Sequence, residues 1–115
     1  MKVIDLIADY DVASTKRVSL TIVIGNSQIG GSVVKLGAKE LADGQIKNLD
    51  LGIGNSLRGK KLKSKSVVAD VNDRTNRTII TYRIKGGARD QEFVSSGTVD
   101  QDGDSIVYRA LFNLI

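Results

Sequence analysis

Residues 91–115 read QEFVSSGTVDQDGDSIVYRALFNLI and carry the clearest fold signal in the chain. The dipeptide Asp102-Gly103 favours a type I′ turn, because both central residues of that turn need positive φ. A hairpin closed by this turn pairs the apolar residues of one face, namely Val99 with Ile106, Gly97 with Tyr108 and Phe93 with Phe112. A shift of one residue would scatter these side chains over both faces. The sequence therefore predicts this hairpin in this register.

The composition is typical of a folded protein built from strands. The chain has 115 residues, of which 41% are hydrophobic, and most of these are Val, Ile and Leu, which favour strands. There is no proline and there are 12 glycines, so turns rest on Gly, Asn and Asp. This length suits a single core, and we expect residues 1–115 to form one domain.

The missing residue types narrow the chemistry. The chain has no cysteine and no histidine, which removes disulfides, thiolate chemistry, the usual zinc ligand and the usual general base. Serine and threonine are plentiful, but no histidine is present to activate them, and no spaced pair of lysine or carboxylate bases stands out. We therefore expect a protein that is not an enzyme and carries no cofactor.

Charge and hydropathy bear on location and partners. The net charge is +4, a mild basic excess. No apolar run approaches the length of a transmembrane helix, so we expect no membrane insertion. Asp5 and Asp9 interrupt the apolar N-terminal stretch, which argues against a signal peptide. These features favour a cytoplasmic location.

The N-terminal stretch fits two periodicities. Ile4, Leu6, Ala8, Tyr10 and Val12 alternate as in a strand, whereas Val3, Leu6, Ile7 and Tyr10 fit one face of a helix. We favour a strand over residues 3–12, because everything downstream has strand character.

Two further hairpins are predicted. In residues 17–36, a tight turn at Asn26-Ser27 pairs Ile24 with Ile29, Ile22 with Gly31 and Leu20 with Val33. Between this hairpin and the next one, residues 38–44 are predicted to form one helical turn or a loop, and residues 46–53 are predicted to form a short strand.

In residues 58–86, a loop at 72–75 sets Val67 opposite Ile80, Asp70 opposite Arg77 and Val68 opposite Ile79. Continuing this register backwards puts Lys61, Lys63 and Lys65 on the apolar face, which is untenable for a buried strand. The sequence then requires a bulge near residues 64–66, or a strand that leaves the core before Lys65.

Together these segments predict an all-β fold of about eight short strands separated by turn signals. Such spacing is typical of a sandwich or a barrel. We favour a two-sheet antiparallel β-sandwich of immunoglobulin-like type, with a β-barrel as the alternative.

The first candidate site is the basic run Arg58, Lys60, Lys61, Lys63 and Lys65. Lysines on an edge strand discourage aggregation between sheets, and we favour this interpretation. The alternative is weak polyanion binding through electrostatic attraction. Nucleic acid is disfavoured, because no aromatic residue that could stack on bases lies near the run.

Two polar stretches are weighed as minor candidates. Asp100, Asp102 and Asp104 resemble the start of a calcium loop, but no later glutamate completes the ligand set, and the Asp-Gly turn explains the stretch without calcium. The polar tip at residues 72–76 is exposed as binding loops often are, although turn chemistry also accounts for it.

The predicted function is binding to a protein partner, or self-association into a homo-oligomer, through sheet surfaces or edges. This expectation rests on apolar residues on the second faces of the last two hairpins. The candidate contact residues are Val68, Ile79, Val107 and Leu111.

Overall fold

The computed structural model describes residues 2–115, which form nine strands and one short helix. The elements are β1 (Lys2–Tyr10), β2 (Arg17–Ile24), β3 (Ile29–Leu36), β4 (Lys39–Gly44), β5 (Leu49–Ile53), α1 (Gly54–Leu57), β6 (Lys61–Ala69), β7 (Arg77–Lys85), β8 (Gln91–Thr98) and β9 (Ser105–Leu114).

These strands form two sheets that pack face to face. Sheet A has the order β1-β9-β6-β3-β4, and sheet B has the order β5-β2-β7-β8. The β1–β9 pair is parallel, and every other pair is antiparallel. The predicted two-sheet sandwich is confirmed, and the described strands do not close into one barrel. The last two strands lie in different sheets, whereas in the immunoglobulin order strands F and G are neighbours.

The core lies between the sheets and is built from alternate residues of each strand, as period-two burial requires. Its aromatic centre joins both sheets: the Phe112 ring of β9 lies 5.5 Å from the Tyr82 ring of β7 and 5.0 Å from the Phe93 ring of β8. Edge-on and tilted contacts of this kind are the favourable geometries for aromatic pairs.

The hairpin predicted over residues 91–115 is wrong. β8 pairs with β7 in sheet B, while β9 pairs with β1 and β6 in sheet A. Phe93 and Phe112 do meet, but across the core and not side by side in one sheet. The turn at residues 101–104 is present, with Asp104 N donating to Gln101 O at 3.2 Å. Only Gly103 of its two central residues has positive φ, so the turn is not type I′.

The hairpin predicted over residues 17–36 is wrong for the same reason. Its turn is correct, because Asn26 and Ser27 both have φ of 56° and Gln28 N donates to Gly25 O at 3.2 Å. The strands on either side diverge, however, since β2 enters sheet B and β3 enters sheet A.

The hairpin predicted over residues 58–86 is also wrong, because β6 lies in sheet A and β7 in sheet B. Val68 points into the core and Val67 points out, the reverse of the predicted faces. The lysines of β6 therefore lie outside without any bulge. Asp70 accepts a hydrogen bond from Gln28 Nε2 at 2.7 Å and does not face Arg77.

Three shorter predictions have mixed outcomes. The strand favoured for residues 3–12 is confirmed as far as Tyr10 by β1, whereas the segment 38–44, predicted as a helical turn or loop, contains the whole of strand β4. The strand predicted for residues 46–53 begins only at Leu49, because Ile46 belongs to the link that crosses from sheet A to sheet B.

Candidate functional site

The outer face of sheet A carries a row of lysines on its central strand. Leu62, Ser64 and Ser66 of β6 point into the core, so the intervening Lys61, Lys63 and Lys65 point outwards by strand alternation. β6 lies between β3 and β9. The explanation of these lysines as protection for an edge strand is therefore wrong.

A fourth lysine joins them from the neighbouring strand β3. Lys35 lies directly opposite Lys63, and Lys65 lies opposite Arg109 of β9 on its other side. Like charges directly opposite each other in a sheet are destabilising. We call Lys35, Lys61, Lys63 and Lys65 the lysine band.

Within residues 2–115, no lysine of the band forms a salt bridge, although Glu40 of β4 lies directly opposite Lys35. The ion pairs of the described residues are Arg17–Asp50, Arg83–Glu92 and Arg109–Asp5. The first two lie on the outer face of sheet B, and the third lies on the outer face of sheet A, beside the band.

Apolar side chains and a shallow groove surround the lysine band. The groove has a volume of about 570 Å³ and is lined by Lys35, Lys63 and Lys65 together with Ile7, Val33 and Leu111, among others. Ile7 is 73% exposed. The next row of the same face is apolar as well, with Val3, Val107 and Val67 side by side on β1, β9 and β6.

Acidic residues flank the lysine band on both sides. Asp5 and Asp9 lie on β1, and Glu40 and Asp43 lie on β4. Arg109 binds Asp5 through Nε at 2.7 Å and Nη2 at 2.9 Å. These hydrogen bonds, aided by the Arg109 charge, lower the pKa of Asp5 despite some desolvation. The positive band is therefore narrow and runs along β6 and β3.

The two remaining cations of the predicted basic run lie off the sheet. Arg58 and Lys60 are in the loop between α1 and β6. The Arg58 guanidinium donates to Ser14 Oγ at 3.1 Å and to Val12 O at 3.4 Å. Arg58 thus ties the loop to the segment after β1, and the predicted run divides into a loop part and a sheet part.

The four predicted partner-contact residues do not share a surface. Val68 is fully buried in the core, so its assignment to an outer face is wrong. Ile79 lies on the outer face of sheet B. Val107 and Leu111 lie on the outer face of sheet A, and Leu111 is directly opposite Lys63. The structure thus brings two predicted contact residues together with the predicted polyanion residues.

The two minor candidates lie at one end of the sandwich. The Asn76 side-chain amide, with its nitrogen towards the carboxylates, donates to Asp70 Oδ2 at 3.0 Å and to Asp102 Oδ1 at 2.5 Å. The predicted polar tip contains a local turn in which Asn72 Oδ1 accepts from Arg74 N at 3.0 Å. Across residues 2–115, no group of three or more acidic, cysteine or histidine side chains is placed to hold a metal ion.

Sequence reasoning missed Lys35, Val33 and Ile7 as members of this face. Each alternates with inward neighbours, so its outward direction was readable from the pattern. Their meeting depends on the strand order β1-β9-β6-β3, which joins segments far apart in the chain and leaves no local signal.

No protein-family model, curated protein or solved structure matches this chain. In the part of the chain that the structure describes, no helix has the length and apolar character needed to cross a membrane.

Proposed function

We propose that this protein is a non-enzymatic binding module, and that the outer face of sheet A binds an acidic segment of a partner protein. The observation that carries the proposal is the lysine band, four cations on two adjacent inner strands that form no salt bridge within residues 2–115, with Glu40 opposite Lys35 as the one carboxylate directly across the ladder.

The energetics of the sheet support this interpretation. Lysine is depleted in strands, and the scale of strand propensity spans about 1 kcal/mol per residue. Lys35 opposite Lys63, and Lys65 opposite Arg109, add repulsion between neighbours. Glu40, opposite Lys35 on its other side, offsets part of this repulsion at that end of the band. A partner that brings carboxylates to the band would relieve this repulsion.

The apolar neighbours of the band indicate a protein partner. Ile7, Leu111 and Val33 line the same groove as the lysines, so a bound segment would bury apolar surface as well as pair charges. Apolar contact surrounded by polar groups is the usual anatomy of a protein–protein interface.

The acidic flanks set the width of the partner. Neighbouring strands are about 4.8 Å apart, so the carboxylates on β4 lie one strand from β3, and those on β1 lie two strands from β6. A broad polyanion such as duplex nucleic acid would meet these carboxylates on both sides. A single extended chain with acidic side chains fits between them.

Weak polyanion binding is the second candidate, because Arg58 and Lys60 extend the positive charge beyond the end of β6. Both functions weaken with salt. The two functions differ in whether binding depends on the apolar residues of the groove. A protein segment would contact them, whereas a sulfated or phosphorylated polymer would bind through the cations alone.

The test compares a fluorescent peptide of alternating Glu and Val with a heparin fragment, using anisotropy at about 50 and 300 mM NaCl. We expect Lys63→Glu/Lys65→Glu to weaken peptide binding by at least about tenfold. The control Lys47→Glu/Lys85→Glu makes the same change in net charge at two exposed lysines off this face, and it should alter binding less than about twofold.

A third variant separates the two candidates. Leu111→Ser should weaken the peptide and leave heparin unchanged if the face binds a protein segment. Equal losses of peptide affinity in the two charge variants, or a peptide affinity unchanged by Leu111→Ser, would contradict the proposal. Heparin binding that depends on Lys63 and Lys65 alone would support the second candidate.

A further inference from the structure

Strand β8 forms an edge of sheet B whose middle lacks the usual protection, although Lys2 of β1 binds the carbonyl of Thr98 at its end. Edge strands are normally blunted by short length, bulges, proline or charge. β4 has six residues and a register shift, and β5 has five residues and a register shift. β8 has eight residues in an unbroken ladder with β7, and its sequence QEFVSSGT contains no lysine, arginine or proline.

The free hydrogen-bonding groups of β8 can be assigned. Lys2 Nζ donates to the Thr98 carbonyl, and the ladder pairs Thr98 with Arg77 at the other side. That carbonyl therefore faces away from β7. Because backbone groups alternate in direction along a strand, the N–H and C=O groups of Glu92, Val94 and Ser96 face the free edge as well.

The outer face of sheet B carries a row of side chains that stops at this edge. Val23 of β2, Thr81 of β7 and Val94 of β8 lie side by side. Val94 is 58% exposed and is the last member of the row. An apolar side chain in the middle of an unprotected edge is a favourable centre for strand pairing.

We infer that two copies of this chain pair antiparallel through β8, with Val94 opposite Val94 of the second copy at the two-fold axis. This joins the two four-stranded sheets into one eight-stranded sheet and continues the row from Val23 to its equivalent in the second copy. The contact is isologous, as in most soluble homodimers. It lies on sheet B and does not depend on the lysine band of sheet A.

This register is self-complementary in charge. Glu92 is the one charged residue of β8, and it comes opposite Ser96 of the second copy. Glu92 can keep its ion pair with Arg83, whose Nε lies 3.3 Å from Glu92 Oε1. On the inner side, Phe93 comes opposite Ser95 of the second copy. No like charges oppose each other between residues 91 and 97, and Lys2, which binds the Thr98 carbonyl, lies just beyond these paired residues.

The first test is the mass of the protein in solution by sedimentation, at low and high salt. We expect a dimer that persists or strengthens at high salt, since the contact is made by backbone and apolar groups. Val94→Lys places two cations at the axis and should yield a monomer with unchanged circular dichroism. Val23→Lys, on the same row but two strands from the edge, should remain a dimer.

The second test uses the absence of cysteine from the chain. Val94→Cys should form a disulfide-linked dimer under mild oxidation much faster than Val23→Cys, because the two Val23 positions stay about 25 Å apart across five strand spacings. A monomer at about millimolar concentration, or equal crosslinking of the two variants, would overturn the inference. Faster crosslinking of Ser96→Cys than of Val94→Cys would overturn the register.

Discussion

The two ends of the sandwich are closed by different chemistry. At one end, which we call the Tyr10 end, the fully buried Tyr10 donates through Oη to Arg89 O at 2.9 Å and accepts from Gly87 N at 2.8 Å. At the opposite end, the Asp70 end, the buried Asp70 carboxyl accepts from Gln28 Nε2 at 2.7 Å.

The Asp70 end is a network in which each polar group serves several segments. Gln28 Oε1 accepts from Val71 N at 2.7 Å and from Asn72 N at 2.9 Å, and Asp70 N donates to Asp104 O at 2.9 Å. The Tyr10 end depends instead on close approach of backbone to an aromatic ring. We therefore expect added volume to destabilise the Tyr10 end most, and loss of a hydrogen-bonding group to destabilise the Asp70 end most.

The largest effect is expected from Gly87→Ala at the Tyr10 end. A Cβ at this position would lie 2.5 Å from Tyr10 Cε2 and closer still to the carbonyl oxygen of Asp11. Since backbone cannot yield cheaply, we expect a loss of about 3 kcal/mol or more in the free energy of unfolding, measured by urea denaturation. Gly31→Ala is the control, because a Cβ there meets nothing within 4 Å. Equal stability of the two variants would contradict the steric account.

The next effect is expected from Asp70→Ala, which should cost about 2–3 kcal/mol because it leaves the Gln28 amide without its buried acceptor. Asp73→Ala removes an exposed carboxylate from the following loop and should change the stability by less than about 0.5 kcal/mol. Chemical denaturation of both variants measures the difference. If Asp70→Ala is as stable as the control, the network does not hold this end together.

A smaller effect is expected from Tyr10→Phe, which keeps the ring but removes one hydrogen-bond acceptor and one donor. We expect a cost of about 1–2 kcal/mol, because Gly87 N is buried and loses its partner. Hydrogen exchange should show the Gly87 amide losing protection more than the amides near Asp70. An equal loss of amide protection at both ends would show that the two ends do not open independently.

The smallest effect at neutral pH is expected from Tyr82→Phe, between the two ends. Tyr82 Oη has no hydrogen-bond partner within residues 2–115, and the nearby Ser66 Oγ is bonded to Ser32 Oγ at 2.5 Å. Removing an unpaired buried hydroxyl should be neutral or slightly stabilising. Tyr108→Phe is the contrast, because Tyr108 Oη donates to Thr78 O at 3.2 Å, and it should cost about 1 kcal/mol.

At alkaline pH, the stability of Tyr82→Phe should depend on pH less strongly than the stability of the unchanged protein. Burial, reinforced by the charge of Tyr108, raises the pKa of Tyr82 well above its ordinary value of 10. The unfolded chain therefore loses this proton first, so the contribution of Tyr82 is complete below about pH 10 and is lost as the pH rises above it. Unfolding free energies between about pH 10 and 11.5 should fall less steeply in Tyr82→Phe. An unchanged slope would show that the pKa of Tyr82 is the same in the folded and unfolded states.

The sequence predicted the strands and several turns well, but not which strands are neighbours. Asn26-Ser27 forms the predicted turn, and Phe93 lies against Phe112, but across the core and not in the predicted hairpin. Alternation tells which side chains point inwards. A hairpin and a connection that crosses between sheets share this pattern, because inward side chains can meet side by side or across the core.

The candidate site shows the same limit. The lysines of β6 looked incompatible with the apolar face only because Val67 was assumed to point inwards; the strand in fact turns Val68 inwards. Once that parity is reversed, the outward direction of Lys61, Lys63 and Lys65 follows from sequence alone. The presence of Lys35, Leu111 and Ile7 beside them required the strand order, which is fixed by packing of distant segments.

The parallel pairing of β1 with β9 bears on how the protein would respond to mechanical load. Lys2 lies beside Ile106 and Tyr10 beside Leu114, so the two terminal strands exit at opposite ends of their shared ladder. Tension applied through the termini would slide β1 along β9 and strain all the hydrogen bonds between them at once, where an antiparallel terminal pair would unzip one bond after another. Resistance to such a pull would be governed by the rate of forced unfolding.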